Sequence, residues 1–481
     1  MSRKSEKRRI LALKKDLLAY RREMPKDIVM IGNINDFSEN EKIKIAGRIV
    51  LADCSGKISK LGLFDNIGDQ EVIILENISD NGEKIQAYLV KNKHNIEYMN
   101  QYIHYGDIVM LDGYKFKIEG KFAFLADDIT LFSKAIGDIY DKNINFKKRS
   151  NVYSYRYIEM IRDVEKVKLF QSCSKVIQII RQFLYNRGYN ETCMSLLQES
   201  FEAGFANPFV THVVEYDRDM YLRLTAELLF RKLMVAGFSS VFEISKSFRN
   251  QNTAGNMIPE FTIFELYKSY SSRDEMELLV KAIVCKILDG LYCELSIPID
   301  DGFIDCSGYW EVFDFRDEVK SLTGMEYNEQ LSVGELAKFL DKAGIKRPNA
   351  INKYTVATAL YKNIVSLIEG PAFLRNLPAA QSPLFKLNED GSTVDETLLV
   401  IKGSLIADIV NAERDPEIMR KRFEEQATYQ AREAYIVNED ILQAMKFGLP
   451  PCRGIGMGIE RLFMFLLNKK SIREVQIFPV F

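Results

Sequence analysis

The clearest pattern along the chain is the period-two alternation of PEFTIFELYKSY, residues 259–270. Read as a strand, it places Phe261, Ile263, Glu265, Tyr267 and Ser269 on one face. A carboxylate and a phenol on a strand that is otherwise apolar require polar partners, because a buried polar group without one is costly. A second apolar run, Val241–Phe248, precedes it and ends at Arg249, so two strands joined by a loop converge Arg, Phe, Glu and Tyr. Such a set could hold a nucleotide and an amine. Upstream, residues 43–134 read as five short strands: IKIAGRIVLADC, KLGLFDN, EVIILEN, DIVMLDGYKFKI and KFAFLADDITLFSK. A helix is predicted from Gly82 to about Tyr102, between the third and fourth, an order that suggests an OB-fold barrel. Glu119-Gly120 supplies the turn before the last strand. Asp163–Arg187 repeats its apolar positions at helical spacing and stops at Gly188. Residues 275–380 read as mostly helical around the single tryptophan, Trp310. The predicted fold class is α+β, an N-terminal barrel followed by an antiparallel sheet flanked by helices.

Length and composition narrow the class without choosing a chemistry. A chain of 481 residues can bury a large core in two or three domains. No apolar run approaches the roughly 18 residues that a membrane span needs, and no apolar segment follows the basic N-terminus as in a secretory signal. The seven cysteines are scattered without a CxxC pair, which points to reduced thiols in a cytoplasmic protein and to no zinc site. His94, His104 and His212 have no metal-ligand spacing. Net charge is −2, yet the first 27 residues hold ten Lys/Arg against four Asp/Glu. Ile10, Leu11, Leu13, Leu17 and Leu18 recur there at helical spacing. A basic amphipathic helix of this kind could touch nucleic-acid phosphates or simply pack on its own domain.

Two segments carry a family resemblance. PEFTIFELYKSY, with Phe248-Arg249-Asn250 before it, resembles motif 2 of class II aminoacyl-tRNA synthetases, most closely the lysyl type. GIGMGIERLFMFLLNKKSIREVQIFP, residues 454–479, resembles motif 3. The resemblance implies a basic N-terminal helix (1–40), an anticodon-binding-like OB-fold (41–137) and a catalytic domain (138–481) with a helical insertion at about 275–380. Asp163–Arg187 resembles motif 1, which implies a homodimer, although Cys193 stands where the motif's proline is expected. By the same resemblance Arg249 bridges a substrate carboxylate and the α-phosphate of ATP, Phe261 stacks on adenine, and Arg461 meets the γ-phosphate. Gly454, Gly456 and Gly458 let a flat base lie close to the strand. Glu227, Glu265 and Tyr267 match amino-acid-binding positions. A guanidinium suits the bridging role because it makes two charge-assisted bonds in a fixed geometry.

The departures fall on functional positions. In QNTAGNMI (251–258) the acid after FRN becomes Gln251, and an Arg-His pair becomes Asn256-Met257. In DETLLVIKGSLIADIVNAERDPEIMRKRFEEQ (395–426) the two Mg²⁺ carboxylates align with Leu398 and Leu405, an asparagine with Asp408, and the partner of the lysine ε-ammonium with Ala412. Leucine offers no oxygen to a hard cation, and an unpaired buried ammonium costs on the order of 3–5 kcal/mol. Paired glycines of the pocket wall become Glu202 and Ala203. An anticodon-stacking phenylalanine becomes Lys60 and an anticodon-reading glutamate Lys121; a lysine can hold phosphate but cannot stack as a ring does. The expected protein is therefore a lysyl-tRNA-synthetase-like paralogue, a pseudoenzyme whose lysylation is lost or altered and which acts through tRNA, nucleotide or partner binding. The alternative is an amino-acid-activating ligase, lysine–tRNA ligase in type or with a less cationic substrate. Leu398, Leu405 and Ala412 would then line an apolar pocket.

Overall fold

The computed structural model describes residues 27–29, 36–38, 41–49, 72–80, 83–90, 93–103, 106–118, 121–137, 153–200, 207–250, 257–300, 302–427 and 437–479. They form two compact units that divide at Gln171. The predicted N-terminal helix, the strand KLGLFDN, Lys60, Glu119-Gly120, Glu202, Ala203, Gln251 and Asn256 lie outside the described residues.

In the first unit, strands β1 (Lys42–Ile49), β2 (Val72–Asp80) and β3 (Glu83–Val90) are followed by helix α1 (Lys93–Tyr102) and strands β4 (Ile108–Ile118) and β5 (Lys121–Ser133). β1 pairs with both β2 and β4, β2 with β3, and β4 with β5, all antiparallel, while β3 and β5 run parallel. Ile45, Ala87, Leu89, Leu111 and Phe124 are fully buried between them. Gly113 is required by close approach: a Cβ there would stand 1.9 Å from the Leu125 carbonyl oxygen. A buried ion pair joins Lys134 to Asp107 at 2.8 Å. One expectation is corrected. Residues 83–90 are a strand and the helix begins at Lys93. Ile85, Ala87 and Leu89 are buried while Gln86 is exposed, and Asp80 pairs with Glu83 across Asn81-Gly82, a dipeptide that favours tight hairpins.

Helix α2 (Val164–Tyr185), most of which belongs to the second unit, matches the predicted helix to within two residues and is followed by Gly188 at φ +77°. Next come α3 (Glu227–Val235), β6 (Ser240–Phe248), β7 (Glu260–Ser269), α4 (Arg273–Tyr292), β8 (Glu311–Asp314), α5 (Phe315–Thr323), α6 (Val333–Lys342) and α7 (Lys353–Leu367). The chain continues with β9 (Ala372–Arg375), β10 (Glu396–Ile401), β11 (Ser404–Asn411), β12 (Cys452–Gly458) and α8 (Ile459–Leu466). Among the described residues the main sheet has eight strands in the order β8-β9-β10-β11-β12-β7-β6, closed at its far edge by the two-residue strand Asn190–Glu191. Side-chain alternation divides it between two cores. Val241, Leu374, Leu398 and Val410 pack toward Phe230 of α3, Phe315 of α5, Phe339 of α6 and Leu360 of α7. Phe242, Phe264, Leu399 and Ile409 pack toward Val176 of α2, Ile283 of α4 and Leu462 of α8. The reading of 275–380 as mostly helical is corrected in the same terms. β8 and β9 belong to the main sheet, because the buried run Ala372-Phe373-Leu374 is too short and apolar for a surface helix and pairs with β10.

Candidate functional site

The floor of the site is laid out by strand register. Directly paired residues face the same side of a sheet. One row therefore runs Leu398, Asp408, Gly456, Glu265 across β10, β11, β12 and β7. The next row, two residues along each strand, runs Glu396, Val410, Gly454, Tyr267. Two cavities open over this floor. One, of about 350 Å³, is lined by Glu227, Glu265, Tyr267, Glu396, Leu398 and Asp408 among others. The other, of about 200 Å³, is lined by Phe261, Met257, Gly458, Glu460 and Arg461. Arg249, Ile263, Leu405, Asp408 and Gly456 line both. Arg249, Phe261, Gly458, Arg461, Glu227, Glu265 and Tyr267, the site residues expected from the sequence, thus border one cavity or both. Ala412 does not: it is fully buried and pairs with Phe385.

Arg249 follows β6, and its amide donates to the Pro259 carbonyl at 2.8 Å. Its guanidinium carbon lies 5.1 Å from the centroid of the Phe261 ring, within cation–π range. Its buried Nε has no hydrogen-bond partner. Burial pushes its pKa down, and Arg461 adds to this, while Glu265 and Asp408 oppose it. Arg461, on α8, is exposed.

The acids are treated unequally. Glu265 accepts from the Thr225 hydroxyl and, at 2.9 Å, from the Ala226 amide. Burial nonetheless raises it to about 7. Glu227 opens α3 and accepts from Arg231 at 2.6 Å and from the Tyr267 hydroxyl at 3.0 Å. Arg231, wholly buried, also donates to the Leu384 carbonyl at 2.8 Å. Glu460 accepts from the Thr262 amide at 2.8 Å and from its hydroxyl at 2.8 Å. Asp408 and Glu396 receive no side-chain hydrogen bond among the described residues. Burial lifts Asp408 to about 6 against the pull of its own amide, Arg249 and the Gly456 amide. Burial, then Asp408 and Glu227, push Glu396 well above the usual carboxylate range.

The alternating glycines serve different neighbours, which corrects the expectation that all three face a flat base. A Cβ at Gly454 would stand 2.5 Å from the Tyr267 ring, and one at Gly456 2.4 Å from an Asp408 oxygen. Only at Gly458 is the face open, with Arg461 3.8 Å away. Sequence reasoning missed two members of the site, Arg231 and Glu396. Glu396 was available from the pattern, since it lies two residues before Leu398 and so on the same face.

The second unit's main sheet is mostly antiparallel, with parallel pairs only at its two edges among the described residues, and is flanked by helices. The sequence family that matches residues 148–481 is tRNA synthetases class II (D, K and N). The chain belongs to that family. Relatives within it include lysine–tRNA ligases. That of Thermotoga maritima is 30% identical over 450 residues, 92% of this chain and 86% of that protein. That of Fervidobacterium nodosum is 31% identical over 88% of this chain and 84% of its own length, and that of Enterococcus faecalis 30% over 92% and 87%. The chain is a class II relative of the lysyl-tRNA synthetases.

Proposed function

We propose that this chain is a lysyl-tRNA-synthetase-like protein that keeps a pocket for ATP and an amino acid but has lost or altered lysine–tRNA ligation. The observation that carries this reading is the placement of Leu398 and Leu405 on the cavities that Arg249, Phe261 and Glu265 also line. Activating an amino acid joins its carboxylate to the α-phosphate and expels pyrophosphate, a reaction accelerated by positioning and charge neutralisation. Arg249, half-buried and without an anionic hydrogen-bond partner among the described residues, would take the α-phosphate and the substrate carboxylate. Phe261 and the open face of Gly458 would hold adenine, and Arg461 the terminal phosphate. Glu265 would meet the α-ammonium, with Glu227 and Tyr267 deeper in the cavity. A magnesium ion held at the positions aligned with the family's carboxylates does not fit, because Leu398 and Leu405 present only carbon. No group of three or more His, Cys, Asp or Glu among the described residues is arranged for a metal.

We further read the first unit as an OB-fold that grips tRNA. The pairing of β1 with both β2 and β4, and the helix between β3 and β4, support this. A homodimer through the segment resembling motif 1 belongs to the same reading. No helix among the described residues is long and apolar enough to cross a membrane.

The test is ATP–pyrophosphate exchange with each amino acid in turn, in magnesium buffer. The expected result is no exchange with lysine at the rate of a parallel lysine–tRNA ligase. Lysine-dependent exchange at that rate would overturn the proposal. Exchange with another amino acid would select an adenylate-forming ligase of altered substrate, a second reading that the undisturbed Arg249–Phe261 pair favours.

A further inference from the structure

A third cavity, of about 710 Å³, adjoins the smaller of the two and shares Met257, Leu405, Ile406 and Arg461 with it. Its charged lining is all of one sign: Lys402, Arg461, Lys469 and Lys470, with no acid among the lining residues. Lys470 is paired with Asp300 at 2.9 Å. The side chains of Lys402, Lys469 and Arg461 have no hydrogen bond or ion pair among the described residues. Backbone contacts hold the two lysines in place. Lys402 occupies the turn between β10 and β11, where its amide donates to the Glu369 carbonyl at 2.9 Å. The Lys469 amide, just past α8, donates to the Met464 carbonyl at 2.7 Å. The seam between the two cavities is made partly of departures from the family. Leu405 stands where a magnesium carboxylate aligns, and Met257 where the second member of the Arg-His pair does. An acid is thus missing where the phosphates of a nucleotide would lie, and unpaired lysines stand beside that place.

We propose that this third cavity receives the terminal phosphates of a nucleoside triphosphate, and that Lys402 and Lys469, with Arg461, neutralise them in place of a magnesium ion. Nucleotide binding by this chain is then independent of divalent metal. In a phosphoryl-transfer site the metal bridges the β- and γ-oxygens and neutralises their charge. An ammonium on a flexible four-carbon stem supplies the second of these as a point charge. It does not supply the first, because it fixes no geometry between two phosphate oxygens. Affinity for the nucleotide is kept while the alignment that a metal imposes for transfer is not. This rests on the reading that the smaller cavity accepts ATP. It does not require that any amino acid be activated.

The test is calorimetric titration of the full chain with ATP and with AMP, each in EDTA and in excess magnesium, so that it stands apart from pyrophosphate exchange. The expected result is that ATP in EDTA binds within about three-fold of its affinity in magnesium, and about ten-fold or more tighter than AMP. The double substitution Lys402→Gln, Lys469→Gln should weaken ATP by about ten-fold or more and leave AMP within about two-fold. Lys402→Arg, Lys469→Arg should keep most of the ATP affinity, and melting curves verify that each variant folds. ATP binding that requires magnesium, while AMP binds in either buffer, would overturn the proposal and leave the nucleotide pocket standing. So would ATP bound no tighter than AMP in EDTA, or a glutamine variant that loses both nucleotides equally or loses neither. Absence of binding by both nucleotides to the parent would overturn the nucleotide pocket and this proposal with it.

Discussion

The two walls of the site differ in how their polar groups are satisfied. On the β6–β7 side, Glu265 and Glu227 have donors from Thr225, Ala226, Arg231 and Tyr267 that are part of the fold. On the β10–β11 side, Leu398 and Leu405 stand where the family resemblance requires charge, and Asp408 and Glu396 have no side-chain donor among the described residues. The first wall is preorganised whether or not a ligand is present. The second is left for a ligand to complete. Charge on a sheet face can move by one row or one strand without disturbing the backbone, because the register fixes the face and leaves the side chain free to change. A wall that carries its own hydrogen bonds resists such change, since removing one member strands the others.

The sharpest way to break this comparison is to remove Arg249, the cation that lines both cavities and has no ion-pair partner among the described residues. Arg249→Met should weaken ATP binding by about 2–5 kcal/mol, roughly thirty-fold or more, measured by calorimetry. Binding within three-fold of the parent would mean that the β6–β7 wall does not hold the nucleotide.

The converse is to put the missing carboxylates back. Leu398 is 3% exposed, and a carboxylate there joins Asp408 and Glu396. The double substitution Leu398→Glu, Leu405→Glu should therefore destabilise the chain by about 2–4 kcal/mol in the absence of divalent cations. Magnesium should then raise the melting temperature of the variant, because an ion bound only to the folded state stabilises it by mass action. The parent should show no such rise. An equal magnesium response in both proteins would contradict the assignment of the two leucines.

A smaller effect separates the glycines of β12. The Tyr267 ring is buried and stacks on Phe230 at 5.4 Å between centroids, so it cannot yield to a methyl group at position 454. Gly454→Ala should cost about 1–3 kcal/mol by overpacking, read from urea unfolding. Gly458→Ala, which meets nothing closer than 3.8 Å, should change stability by less than about 0.5 kcal/mol. Equal losses at the two positions would show that strand flexibility, rather than the ring, governs the effect.

Much of this layout was legible in the sequence. The alternation of β7 placed Phe261, Glu265 and Tyr267 on one face, and the registered pairs show that face to be the floor of the site. The ends of α2 were legible because Gly188 has no competing role. What escaped had physical reasons. Residues 83–90 mix Ala87, Leu89 and charged positions, so their period is ambiguous until β2 pairs with them. β9 is four residues long, too short for its alternation to stand out, although Gly370-Pro371 marks the turn before it. Glu396 is not one of the positions that the family resemblance marks, although period two from Leu398 places it in the cavity. The partnership of Arg231 with Glu227 follows from helical spacing of four residues, but its burial depends on α3 packing against the Leu384 segment, far along the chain.

The finest distinction between the walls is in their response to pH. Glu265 and Asp408 rise to about 7 and about 6, and Glu396 goes well above its ordinary value of 4.5. Each holds its proton to higher pH in the folded chain than in the unfolded one. From about pH 4.5 to pH 7 the folded state therefore carries more protons, and stability falls as pH rises through that window. Glu265 keeps its donors in every variant of the opposite wall, so Glu396→Gln should remove only the share that Glu396 contributes. The variant should match the parent near pH 4.5 and melt higher near pH 8, by roughly 2–4 °C for each kcal/mol recovered. The measurement is a series of melting curves across that range. Parallel curves for parent and variant would show that Glu396 titrates alike in the folded and unfolded chain, and would remove the asymmetry between the two walls.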